Sequence, residues 1–555
     1  MQAAMKIGID FDNTIARYDT SFRQVAIAGK SIGQEWSGRS KTELRDYLRT
    51  LPNGEQLWMK LQGQVYGKFM HQAEMMPGFA EFMLKCSLRG YTLFIVSHKT
   101  EYGHFDDEKI SLRGAAMQWM ESKRFFDPRF FGMVREQVFF AETREEKVAR
   151  IAELGVDCFI DDLPEVFAEK TFPESVEKVL FGNYSPDKVM TSVVPLCTWA
   201  AISRHLLGVS SNEEEKILAE IMTGMPIDAM VKVSGRGNSR IYKVTSKEGH
   251  NYALKIYPGS DASGRSRLTT EYNAIGFLRG QDLSALPEPL SMDDDCNAGI
   301  YSWIDGSPVD ASDKRALDQA VGFVSHLLDI SRNQIHHQSQ TSLASEACLS
   351  AGELIRQVEN RLQRLVSVCS DYPALHNFLE KEFCPLWQEV TLYAREEWPD
   401  ASRTMDLEEQ YRVLSPSDFG FHNAISVNGK LTFIDFEYFG WDDPVKLTAD
   451  FLWHPAMKLE PEIAVEWERF MLNLFSGDPD FACRLEVAMP LYGMRWIMIL
   501  LNEFLPGTSD RRRLASGGEE YDATEAQSCQ LKKAADYKDR VEKIMELSPK
   551  ITRAQ

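Results

Sequence analysis

No apolar run in this 555-residue chain approaches the ~18 residues that a membrane-spanning helix needs. Positive charge is also scarce: 62 Lys+Arg against 82 Asp+Glu leave a formal net charge of −20. Polyanionic backbones and anionic membranes are bound through clustered basic residues, and the only tight cluster here is "RRR" at 511–513. Nucleic acid and membrane are therefore both disfavoured as partners. Cysteine is sparse and scattered, at 86, 158, 197, 296, 348, 369, 384, 483 and 529, with no C-x-x-C pair. An odd, dispersed set predicts reduced thiols used as fillers, not a disulfide framework. "MQAAMKIGIDFD" runs straight into a strand-like stretch, which predicts no targeting segment and, with the thiols, a cytoplasmic location. Internal repeats are absent, and so is the phosphate-binding pattern G-x-x-x-x-G-K-[ST].

What is present points to more than one domain, because the length exceeds what one hydrophobic core usually supports. Over residues 5–200, the apolar runs "KIGIDF", "YTLFIV", "DCFIDD" and "EKVLFG" alternate with helical patterns. Such runs, separated by helices, predict a parallel sheet covered on both faces, with ligands beyond the carboxyl ends of its strands. A polar, helical stretch at 18–76 reads as a small inserted cap. "GVSSNEEEK" predicts a linker at 208–217, closing a first domain at 1–207. Residues 218–306 then read as a small β-rich lobe, and 307–555 as a large helical lobe.

"DFDNT" (10–14) places Asp10 and Asp12 two apart at the end of the first strand, so both side chains lie on one side. "LFIVSHKT" places Ser97 just past a second apolar strand, and "TREEKVARIAELGVDCFIDDLPEVF" puts Lys147 at a helix start and Asp161–Asp162 after a further strand. Lys123 competes with Lys147 for the same role. In a parallel sheet all these groups gather at one edge. A carboxylate there can attack phosphorus and split hydrolysis into two steps, given Mg²⁺, a cation for the phosphoryl oxygens and a second acid for the leaving oxygen. The order D-x-D-x-T, Ser, Lys, acidic pair resembles the haloacid dehalogenase (HAD) superfamily of phosphatases. That resemblance implies a Rossmann-like α/β domain with a small helical cap. It also implies Asp10 as nucleophile, Asp12 as general acid/base, Ser97 and Lys147 on the phosphoryl group, and Mg²⁺ held at Asp10, Asp12, Asp161 and Asp162.

A second constellation follows. "VSGRGNSRIYKV" (233–244) has small residues, Gly235, Gly237 and Ser239, between strand-like runs, as a loop covering a triphosphate requires. "YALKIY" places Lys255 in a strand, and Glu271 follows in a helical pattern at a spacing that lets the two pair. "LSPSDFGFHNAISVNGKLTFIDFE" supplies Asp418, Asn423 five residues on, and Asp435 across a hairpin. Phosphoryl transfer from ATP needs such a set: a carboxylate near the acceptor hydroxyl, and oxygen ligands for Mg²⁺ on the phosphates. The set resembles the aminoglycoside phosphotransferase and choline kinase branch of the protein-kinase-like fold, an α+β bilobal domain. The resemblance implies Asp418 as catalytic base, Asn423 and Asp435 as Mg²⁺ ligands, Lys255 on the ATP phosphates and Glu271 orienting it. It also exposes a departure: the family's His two residues before the catalytic Asp is Pro416 here, which predicts altered loop packing. His422 reads as a packing residue, "HH" at 336–337 as a loop, and Trp441 with Asp442–Asp443 as candidate pocket wall.

A kinase and a phosphatase on the same atom of one substrate would only consume ATP. The two resemblances together therefore predict action at two positions of one small molecule, a sugar or sugar phosphate on a nucleotide-sugar or cell-surface polysaccharide route. Three other readings stand beside it. Nucleic-acid end processing is opposed by the charge and the missing phosphate-binding pattern. A non-catalytic nucleotide-binding module controlling the phosphatase is kept open by Pro416. Aminoglycoside resistance leaves the fused phosphatase without a role.

Overall fold

The computed structural model describes residues 5–33, 36, 38, 40–105, 108–184, 192–208, 213–233, 239–258, 265–334, 342–399, 402–505 and 522–547. The pairs at 336–337 and the arginines at 511–513 lie outside the described residues, as do Gly235 and Gly237. Two compact units divide the chain, one built mainly from residues up to 227 and the other from 228 onward. Among the described residues no helix is long and apolar enough to cross a membrane.

The first unit is organised on six parallel strands: β1 Lys6–Ile9, β2 Thr92–His98, β3 Val138–Ala141, β4 Cys158–Asp161, β5 Glu177–Phe181 and β6 Val193–Leu196. Their order is β3-β2-β1-β4-β5-β6. Alternation along the strands feeds two cores, one on each face. Ile95, Ile160 and Val179 join Ile7 and Ile9 in one, while Val96, Phe159 and Leu180 enter the other. The direction of strand addition reverses between β1 and β4, and the carboxyl edge at such a reversal is where open α/β sheets bind ligands. The stretch 18–76 carries three helices, α1 Asp19–Ala28, α2 Lys41–Arg49 and α3 Gly54–Tyr66, between the short paired strands Ala16–Arg17 and Glu74–Met75. Helices α4 Phe79–Leu88, α5 Leu112–Ser122, α6 Arg144–Leu154 and α7 Trp199–Leu207 complete this sheet's layers.

Of the stretch read as a linker at 208–217, residues 209–212 lie outside the described residues and 213–217 are helical. Glu213 already opens α8, Glu213–Thr223, which groups with the first unit. Three glutamates in its first turn complement the positive end of the helix dipole, and Leu218 and Ala219 bury its apolar side.

In the second unit, β7 Ile227–Val233, β8 Arg240–Ser246, β9 Asn251–Ile256, β10 Pro289–Asp293 and β11 Ala298–Ser302 form a sheet ordered β10-β11-β9-β8-β7. Helix α9 Arg267–Gly280 follows β9. The remainder is helical: α10 Lys314–Gln334, α11 Ala351–Val366, α12 Cys384–Glu397, α13 Pro444–Trp453, α14 Pro461–Leu474, α15 Phe481–Leu500 and α16 Ala523–Leu547. Short strands accompany it, among them β12 Val413–Ser415, β13 Ala424–Val427, β14 Lys430–Phe433 and β15 Gly440–Asp442. β13 and β14 form a hairpin whose turn residues Asn428 and Gly429 both have positive φ, the conformation that an Asn-Gly pair accepts most readily.

Candidate functional site

In each unit a buried cluster of polar side chains gathers most of the residues that the sequence singles out. In the first, Asp10 follows β1 and Asp161 ends β4, adjacent because Ile9 is in register with Ile160. Lys147 comes from the first turns of α6, whose start is capped by Thr143. Its Nζ donates to Asp10 Oδ1 and to Asp161 Oδ2, both at 2.6 Å. Burial alone would lower the lysine's pKa, but the two carboxylates outweigh it and raise it. Burial pushes Asp10 well above the usual carboxylate range; Lys147 opposes this, and Asp161, Asp162 and Asp12 add to it. Asp162 is pushed up to about 7, by burial and then by Asp161.

Oxygens of Asp10, Asp161 and Asp162 lie within 4.8 Å of one another. Three carboxylates against one lysine leave an excess of buried negative charge, and a set of hard oxygen donors suits Mg²⁺. Ser97 Oγ and Thr14 Oγ1 are also buried, without a hydrogen-bond partner among the described residues. Ser97 lies on β2 itself, next to its last residue, instead of just past the strand, and Thr14 is in the segment leaving β1, so the edge offers hydroxyls as well as carboxylates.

Asp12, near enough to raise the pKa of Asp10, is held by other partners. Its carboxylate pairs with Lys99 Nζ at 2.8 Å and accepts from the Tyr18 hydroxyl. Lys147, not Lys123, reaches Asp10; Lys123 caps the far end of α5. The inserted helices contribute residues that no local pattern marks. Lys41 Nζ donates to Asn13 Oδ1 at 3.1 Å and to the Tyr66 hydroxyl at 2.7 Å, while Asn13 Nδ2 donates to Asp162 at 3.3 Å. Lys99, two residues beyond Ser97 in "SHKT", had a positional signal; Lys41 and Tyr66 had none.

In the second unit, Lys255 on β9 is buried and bridges Glu271 Oε2 and Asp435 Oδ1, each at 2.6 Å. Burial would lower its pKa, but Asp435, Glu271 and Glu437 raise it well above the ordinary value. Burial lifts Glu271 to about 7 against the pull of Lys255. The Tyr257 hydroxyl, 2.9 Å from the same Glu271 oxygen, fixes that carboxylate from behind. Glu437, unmarked beforehand although it lies in "FIDFE", takes Arg267 at 2.7 Å and Ser239 Oγ at 3.3 Å.

The hairpin sets Asn423 beside Asp435: Ala424 is in register with Phe433, and the Ile434 amide donates to the Asn423 carbonyl at 2.9 Å. Asp435 has a φ of 69°, a backbone conformation that is uncommon outside glycine and recurs at functional sites. Burial raises its pKa and Lys255 lowers it. Asn423 and Asp435 are oxygen donors of the hard type that Mg²⁺ takes.

Asp418 stands five residues before Asn423, whose Nδ2 donates to the Asp418 carbonyl at 2.9 Å. Its carboxylate accepts from His422 Nε2 at 2.9 Å, and His454 Nε2 lies 3.8 Å from the same oxygen. Burial would raise the Asp418 pKa, yet the bond from His422, with His454 and Lys446 nearby, holds it at about 2. His422, read as a packing residue, packs against Met457 and also donates to Asp418. Trp441, Asp442 and Asp443, read as candidate pocket wall, are buried. Asp442 pairs with Lys446 at 3.1 Å, and Lys446 Nζ donates to Ser417 Oγ. Asp443 caps α13 and takes Arg484 through both oxygens.

Residues 231–470 match the model of a phosphotransferase enzyme family. Similar solved structures include a spectinomycin phosphotransferase in complex with ADP and spectinomycin, 13% identical, with 57% of this chain and 98% of that chain covered at a TM-score of 0.39. A choline kinase from Cryptosporidium parvum Iowa II is 11% identical over 59% of this chain and 92% of its own, with a TM-score of 0.39. An ADP-bound aminoglycoside phosphotransferase is 17% identical over 58% of this chain and 97% of its own, with a TM-score of 0.37. No curated protein matches. The chain thus contains, over residues 231–470, a kinase-like domain of the phosphotransferase enzyme family.

Proposed function

We propose that the chain is a bifunctional enzyme of small-molecule phosphate chemistry. Its second unit transfers a phosphoryl group from ATP to a hydroxyl; its first unit, read as a HAD-type domain at 1–207 with a cap at 18–76, hydrolyses a phosphomonoester. The observation that carries the second activity is the bridge from Lys255 to Glu271 and Asp435, facing a loop that supplies Asp418 and Asn423. The first rests on Lys147 bridging Asp10 and Asp161 at the carboxyl edge of a parallel sheet.

In the first unit Asp10 attacks phosphorus as the ester P–O bond breaks, giving an aspartyl-phosphate. Asp12, held by Lys99 and Tyr18, passes a proton to the leaving oxygen and later removes one from the attacking water. Ser97 and Lys147 bind the phosphoryl oxygens. In the second unit Glu271 orients Lys255 toward the ATP phosphates, with Gly235, Gly237 and Ser239 in the covering loop. Asp418 accepts the proton of the acceptor hydroxyl as the new P–O bond forms and ADP leaves. Asp10, Asp161 and Asp162 in one unit, and Asn423 and Asp435 in the other, would hold Mg²⁺, which would neutralise phosphoryl charge.

The substrate class favoured is a sugar or sugar phosphate, because removal at one position and addition at another relocates the phosphate. The test is a metabolite screen of two variants with Mg²⁺: phosphate release by Asp418→Ala, and ATP consumption by Asp10→Asn. Hexose, amino-sugar and heptose phosphates are expected among the substrates. Activity confined to other phosphates would defeat the sugar assignment; no activity in either screen would defeat the bifunctional reading.

A further inference from the structure

The loop that carries Asp418 lacks a histidine where the resembled family has one, at Pro416, yet two other histidines converge on Asp418 from elements far apart in sequence. His422 precedes β13, and His454 ends α13. Their rings stack face to face, with centroids 3.7 Å apart and planes 8° from parallel. Trp496 packs edge-on against His454, which fixes the outer ring of the pair. The Ala456 amide lies 3.3 Å from His454 Nδ1 and donates to it. Nδ1 therefore carries the lone pair, and Nε2 carries the proton that faces Asp418.

Both histidine contacts fall on Oδ1 of Asp418, at 2.9 Å from His422 and 3.8 Å from His454. Among the described residues no hydrogen bond reaches Oδ2, and about a third of the side chain is open. A carboxylate tied through one oxygen presents the other in a defined direction. Such a group needs little basicity, because a loose phosphoryl-transfer transition state demands alignment of the hydroxyl more than strong proton abstraction.

We propose that His422 and His454 are positioning residues that replace the missing loop histidine, clamping Oδ1 of Asp418 so that Oδ2 receives the acceptor hydroxyl. The proposal rests on the kinase reading above. It assigns the two histidines neither metal nor substrate.

The experiment measures ADP formation by the full chain with ATP and Mg²⁺, using the best acceptor from the screen, or water if none is found. His422→Phe keeps the stacked ring and removes the donor, whereas His422→Gln keeps a donor; the same pair is made at 454. The Phe variants are expected to lose kcat by on the order of 10- to 100-fold, as misaligned reacting groups do, with KM for ATP unchanged. The Gln variants are expected to recover most of that loss, and His422→Phe is expected to add nothing in an Asp418→Asn background. Wild-type kcat in both Phe variants would overturn the proposal. Equal losses in the Phe and Gln variants would also overturn it, by showing a merely structural role. No ADP formed by the wild type with any acceptor or with water would overturn the kinase reading, and this proposal with it.

Discussion

Asp443 does two jobs with one carboxylate. It accepts the Val445 amide at the start of α13 and takes Arg484 at 3.0 and 3.1 Å. Both side chains are almost fully buried, and Arg484 also pairs with Asp478 at 2.8 Å, so removing Asp443 leaves the guanidinium with one of its two buried carboxylates. Asp443→Ala is expected to cost about 1–3 kcal/mol, the usual penalty for removing one partner of a buried hydrogen-bonded group. Denaturant unfolding checks it; a loss under about 1 kcal/mol, as exposed pairs show, would contradict the burial argument. Glu346 offers a pH-dependent counterpart. Burial would raise its pKa, but Arg361 and Arg495 outweigh burial and hold it at about 2, against 4.5 ordinarily. A carboxylate depressed in the folded state stabilises above its unfolded pKa and loses that contribution as pH falls through the folded one. Glu346→Gln is therefore expected to be less stable than wild type at neutral pH, the gap narrowing between pH 4.5 and pH 2. The side chain is 48% exposed, so solvent screening keeps the effect modest. Stability curves of the two proteins that stay parallel through that window would refute it.

Among elements, the packing of the helical lobe turns on a few close approaches. Gly493 lies within α15, where a Cβ would stand 2.4 Å from Val541 Cγ2 on α16 and 2.7 Å from the Trp453 ring on α13. Gly493→Ala must push at least one of these helices away, and overpacking of this kind costs roughly 1–3 kcal/mol. Thermal unfolding tests this; a stabilised variant, as Gly→Ala gives in an unconstrained helix, would show that the contact yields freely. Elements also differ in how far they could be read in advance. "SVNGKLTF" declares a hairpin because Asn-Gly accepts positive φ at both turn positions, and the hairpin alone brings Asn423 beside Asp435. The acidic run "EEEK" at 213–216 sits in the first turn of α8, since glutamates next to an apolar repeat favour a helix start as readily as a solvated loop. Lys41 and Tyr66 were invisible, because which side of an inserted helix faces a site depends on how the whole insert packs.

At the scale of the molecule, the two polar clusters belong to separate units with separate cores. Point variants should therefore separate the proposed activities cleanly. Asp10→Asn is expected to abolish phosphate release and leave ATP consumption intact; Asp418→Ala is expected to do the reverse. Steady-state assays of both reactions on each variant decide it, and loss of both activities in either variant would exclude independent sites. The sequence by itself determined those features whose cause is local or periodic. The parallel strands follow from continuous apolar runs, the catalytic-loop hairpin from its turn residues, and the phosphotransferase character from residue types at short, fixed spacings. Tertiary structure alone decided which lysine meets Asp10, that Asp12 turns to Lys99 and Tyr18, and that His422 and His454 close on Asp418. It also placed Asp442 and Asp443 in the interior. Each of those outcomes joins groups from separate elements. Their meeting depends on how helices and strands bury their apolar faces against one another, which no short stretch of sequence contains.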